Sequence, residues 1–110
     1  MARVVKREAA KRDLIRQWVW YAENATLEVA DRFLTAAEST LAEIATHPGS
    51  GRPVFTRRGE LQGLRRVPIG DGFEKLLLFY SPMPDGVDLV RVLHGSRDLA
   101  QILDIDPPSS

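Results

Sequence analysis

The stretch "DGVDLVRVLHGSRDL", residues 85–99, decides how the rest of the chain is read. Its middle alternates from Val87 to His94 with the period of a strand, and an Asp-Gly turn signal precedes it. After Gly95 the character changes. Ser96 can cap a helix, Asp98 suits a first turn, and Leu99, Ile102 and Leu103 can pack back. A strand running straight into a short terminal helix makes this the last corner of a sheet. His94 sits at that corner between Arg91 and Arg97. By strict alternation it shares a face with Val90 and Val92, while Leu89, Arg91 and Leu93 take the other; a bulge at Gly95 would change that.

Upstream, "LQGLRRVPI" (61–69) reads as a strand, with Gly63 and Pro68 marking it as an edge or bulged one. "GDG" (70–72) is a turn, and "FEKLLLFYSP" follows, apolar on both faces from Leu76 to Tyr80 and therefore central. Short turns between these strands argue antiparallel pairing.

The first half is helical. Leu14, Trp18, Tyr21, Ala22 and Ala25 recur at helical spacing over residues 9–25. Ala30, Phe33, Leu34, Ala37, Leu41, Ile44 and Ala45 form a second stripe. Asn24 to Thr26 offers caps between the two helices, and "HPGSGRP" (47–53) ends the second. "RVVK" (3–6) is a short opening strand. The expected fold is α+β with order β-α-α-β-β-β-α: a helical hairpin on a small curved antiparallel sheet, the opposite sheet face partly open. Residues 1–103 form one domain, and 104–110 are expected to be a flexible tail.

A chain of 110 residues supports one domain, and an apolar fraction of 44% is ordinary for a globular core. No run approaches the length of a membrane-spanning helix, and the N-terminus lacks the apolar centre of a signal peptide. A cytoplasmic protein is expected, with no membrane partner. Without cysteine there is no thiolate chemistry, and His47 and His94 lie too far apart for a zinc motif. No metal or cofactor is expected. Phosphate cradles and nucleophile elbows are absent from the sequence. Net charge is zero, yet residues 1–16, 17–47, 52–75 and 85–106 carry +4, −4, +3 and −3. Direct DNA binding by this chain alone is therefore not expected, since phosphate neutralisation needs a basic excess.

Few residues are left to carry function. Arg65 and Arg66 alternate across their strand, so only one faces out with Lys75 or Arg91. Such a group can clamp carboxylates or phosphates, or simply protect a sheet edge from aggregation. Trp18 and Tyr21 belong to the core by spacing, leaving Trp20 as a surface anchor. His94 can act as an acid–base group or as a hydrogen-bonded strand-end residue. Arg97 and Asp98 can tie the last helix to the sheet.

Four segments resemble ParE-type toxins of bacterial toxin–antitoxin modules, within the RelE/ParE superfamily. "REAAKRDLIRQWVWYAE" (7–23) is similar to the family's first helix, and "LAEIATHPGSGRP" (41–53) to the end of its second. "LQGLRRVPIGDGFEKLLLFYSP" (61–82) is similar to its first hairpin, and residues 85–99 to its last strand and corner. The resemblance implies a cognate antitoxin, in this branch usually a ParD-like ribbon–helix–helix protein whose C-terminal segment wraps the toxin. It also implies DNA gyrase as the target of the free toxin. Trp20, Arg65, Arg66, Lys75, Arg91, His94 and Arg97 become candidates for contact with target or antitoxin. The alternative is the RelE branch, which cleaves mRNA on the ribosome and would use Lys75, Arg91 and His94 as its chemistry. A third reading is a degenerate, non-toxic relative that only binds an antitoxin.

Overall fold

The computed structural model describes residues 2–95. The helix expected from Ser96, with Arg97, and the tail 104–110 lie outside them. The chain enters through β1 (Arg3–Lys6), then forms α1 (Glu8–Asn24) and α2 (Leu27–Thr46). β2 (Arg52–Pro53), β3 (Arg65–Pro68), β4 (Leu76–Met83) and β5 (Gly86–His94) follow. Both helices pack against one side of a five-stranded sheet of order β1-β5-β4-β3-β2.

Local chemistry explains the boundaries. Thr26 is extended and its Oγ1 accepts the Val29 N–H at 3.1 Å, so it caps α2 where the sequence places a break. Pro48 and Gly49 end α2 because the first lacks a donor and the second costs chain entropy. Between β3 and β4, Asp71 and Gly72 adopt φ of 59° and 97°, the left-handed region these two residue types tolerate.

The α+β class and helical hairpin agree with the sequence reading, and three details differ. β1 pairs with β5 in parallel, so the sheet is mixed. Gly86 makes that pairing possible: a Cβ there would lie 1.8 Å from the Arg3 carbonyl oxygen. β2 is an additional two-residue strand, too short to announce itself by alternation. The sheet face expected to be partly open carries its own cluster, in which Leu61, Leu64, Phe79, Val90 and Leu93 pack together. A 3-10 turn at Gly59–Leu61 delivers Leu61 to that face.

The larger core lies between helices and sheet. Ala10 and Leu14 of α1 and Phe33, Ala37, Leu41 and Ile44 of α2 meet Leu76, Leu78, Tyr80, Val87, Leu89 and Val92. Tyr21, Phe33 and Phe73 close one end, with ring centroids 5.3–5.7 Å apart. Burial of the Tyr21 ring raises its phenol above the ordinary value of 10.0.

Candidate functional site

The two valines assigned by alternation to one face of the last strand lie on opposite faces. Phe79 pairs with Arg91 and Tyr80 with Leu89, which leaves Val90 unmatched in a bulge. The bulge puts Leu89 and Val92 in the helix-side core and Val90 and Leu93 in the other cluster. Strict alternation fails here because one extra residue inverts every assignment beyond it. His94 pairs with Leu76 and is half-buried; the Gly95 N–H donates to the Lys75 carbonyl at 2.8 Å. The strand end thus brings the backbones of Lys75 and His94 together, with the Lys75 side chain exposed.

Arg91 does not face solvent as a free cation. β1 stops pairing at Leu89, so the next stretch of that edge of β5 has no strand beside it. α1 passes there instead, and Asp13 fills the gap. Its Oδ2 accepts the Val92 N–H at 2.9 Å and the Arg91 Nε at 2.7 Å, while Oδ1 accepts Arg91 Nη2 at 3.0 Å. One carboxylate thereby satisfies an orphaned strand donor and a bidentate guanidinium. The Asp13 side chain is 5% exposed and that of Arg91 22%. Sequence reading missed Asp13; its only signal is a carboxylate one residue before Leu14, at the edge of the buried helix stripe.

Arg65 is engaged as well. It lies opposite Tyr80, and its Nη1 donates to the Gly51 carbonyl at 2.6 Å and the Gly49 carbonyl at 3.2 Å. The buried Tyr80 hydroxyl donates to the Pro48 carbonyl at 2.7 Å and accepts the Gly51 N–H at 2.9 Å. Arg65 and Tyr80 together staple the turn after α2 to the sheet. Arg66 lies opposite Phe79, on the face away from the helices. The candidates therefore divide: Arg65 and Arg91 hold the fold, and Arg66, Lys75 and Trp20 have accessible surface.

Other exposed apolar residues gather on the hairpin. Ile15 is 64% exposed, Val19 39%, Trp20 54% and Leu27 62%. Trp18, expected in the core, is half-buried and joins neither core cluster; its Nε1–H donates to Asp31 on α2 at 3.1 Å, a bridge between the helices at the surface. Among the described residues no helix is long and apolar enough to cross a membrane. Nor do three His, Asp or Glu side chains among them converge as metal ligands.

No sequence among curated proteins matches the chain significantly. Its fold is similar to a solved structure described as "Chromosomal ParDE TA system from P. aeruginosa", with a TM-score of 0.68 at 14% identity, covering 86% of this chain and 96% of that one. The family model for the ParE toxin of type II toxin–antitoxin systems, parDE, matches residues 4–99. That span takes in both helices, the sheet from the second residue of β1 onward and the corner at His94, and the chain belongs to the ParE toxin family.

Proposed function

We propose that this chain is held inactive by a cognate ribbon–helix–helix antitoxin and, once free, binds DNA gyrase in the cytoplasm. Binding would stabilise the cleaved-DNA complex and so block replication. Family membership supports a toxin paired with an antitoxin. The choice between branches rests on Arg91. A ribonuclease using Lys75, Arg91 and His94 needs its cations aimed at a phosphate, but Asp13 occupies the Arg91 fork with two short hydrogen bonds. Protein binding needs no such set, and the accessible candidates suit it.

The antitoxin segment has a surface to fold onto. Ile15 and Val19 lie one turn apart on α1, and Leu27 opens α2. An amphipathic segment laying apolar side chains on them would order as it binds.

The test is antitoxin-free protein incubated with gyrase, ATP and supercoiled plasmid, scored for linear DNA after protease treatment. Accumulated linear DNA is the expected result. Folded, growth-inhibiting protein that traps no breaks would sink this reading, and mRNA cleavage in translating extract would then be measured.

A further inference from the structure

Two guanidinium groups meet at the β2 edge of the sheet. Arg52 and Arg66 are direct cross-strand partners, so their side chains leave the sheet on the same face. Neither makes a side-chain hydrogen bond or ion pair among the described residues. Like charges placed opposite one another weaken a strand pair. This pair is one of only two that hold β2. A fold shaped for stability alone would put a neutral or acidic residue at one of these positions.

The surroundings extend the pattern. Residues 52–66 contain Arg52, Arg57, Arg58, Arg65 and Arg66 against the single acid Glu60, a local excess of four positive charges in a neutral chain. Within this segment Phe55 is 87% exposed. Its loop is ordered around it. The Val54 N–H donates to Leu64 O at 2.9 Å, the Arg58 N–H to Thr56 Oγ1 at 3.1 Å, and Gln62 Nε2 to Thr56 O at 3.3 Å. Val54 and Leu64 turn into the cluster on the far sheet face, and Phe55 does not. Phe55 lines a cavity of about 260 Å³ together with the apolar Pro53, Val54 and Leu64 and the polar Thr56, Gln62 and Arg65.

We propose that this edge docks an acidic polypeptide segment, its carboxylates bridging Arg52 and Arg66 and an apolar side chain packing against Phe55. Guanidinium forks match carboxylates bidentately, and a bound carboxylate converts the Arg52–Arg66 repulsion into two attractions. Pro53, Val54 and Leu64 beside Phe55 give an aliphatic side chain of the segment an apolar contact. Zero net charge leaves no long-range field to gather a polyanion, so a nucleic acid fits less well than a locally acidic protein. The surface is separate from the exposed apolar residues of the hairpin, and the inference holds whether or not gyrase is the target.

The test is fluorescence anisotropy of the full chain titrated against a short labelled peptide of glutamates interrupted by leucines. The same peptide with glutamine for glutamate, and an oligothymidylate, serve as controls. The glutamate peptide binds, binding weakens with salt, Arg66→Glu lowers affinity about tenfold, and Phe55→Ser lowers it several-fold. Arg66→Glu also melts at a higher temperature than the parent, because an ion pair replaces the repulsion. Phe55→Ser melts with the parent, which separates lost binding from lost fold. Equal binding of the glutamine peptide, tighter binding of oligothymidylate, or unchanged affinity in both variants would overturn the proposal. So would a lower melting temperature for Arg66→Glu, or a concentration-dependent dimer of the parent that Arg66→Glu abolishes.

Discussion

Arginine has opposite circumstances at the two ends of this sheet. On β5, Arg91 is gripped by a carboxylate 78 residues away in sequence, and the same carboxylate repairs a broken strand edge. On β2 and β3, Arg52 and Arg66 face each other across a strand pair without a counter-ion among the described residues. The first arrangement spends its charge inside the fold; the second leaves it for something outside. What separates them is the helix: α1 crosses the free edge of β5 and supplies Asp13, whereas Arg66 lies on the sheet face away from both helices. A charged residue on a strand is thus a poor guide to function until its neighbours from distant elements are known.

Asp13→Ala should be the most damaging single change. It strands the Arg91 charge and leaves the buried Val92 N–H without its acceptor, so unfolding stability should fall by about 3–5 kcal/mol, measured by denaturant titration. A loss under about 1 kcal/mol would mean that water replaces the carboxylate and that Arg91 is as available as Arg66.

Arg65→Ala and Arg66→Ala set adjacent residues against each other. Removing Arg65 unpins the turn after α2 and should cost about 1–2 kcal/mol through its lost bonds to the Gly49 and Gly51 carbonyls. Removing Arg66 relieves repulsion and should leave stability within about 0.5 kcal/mol of the parent, or slightly above it. Matching losses in both variants would erase the division between structural and available arginines.

The smallest expected effect comes at high pH, where guanidinium groups stay protonated and cannot contribute. Burial holds the Tyr21 phenol above 10.0 in the folded chain, so the unfolded chain loses that proton first. The resulting stability is complete below about pH 10 and declines as pH rises through the folded value. Tyr21→Phe should flatten that decline in thermal melts taken across the alkaline range. An unchanged slope would assign the loss to another group.

The pattern of elements was legible because it is local. Thr26 caps where it stands, "HPGSGRP" stops a helix by its own backbone chemistry, and "LLLFY" is apolar on both faces wherever it is placed. The resemblance carried by residues 61–82 and 85–99 added the family, which the match over residues 4–99 bears out. The site was less legible. Arg65 and Arg66 are indistinguishable as letters, and only the pairing of Arg65 with Tyr80 and of Arg66 with Phe79 sends one to the turn carbonyls and the other to the far face. The bulge at Val90 leaves no mark in the alternating run, so alternation alone puts Val90 and Val92 on one face although they lie on opposite faces.

By itself, the sequence determined the helical hairpin, the three main strands and the absence of thiol chemistry, which rest on composition or on spacings within a few residues; the likeness to ParE toxins came from resemblance of whole segments. The tertiary structure alone decided the parallel entry of β1 beside Gly86, the second cluster on the far sheet face, and the fate of each arginine. Those depend on contacts between segments far apart in the chain, such as Asp13 with Val92, where energy is gained only once both elements are in place and neither segment alone signals its partner.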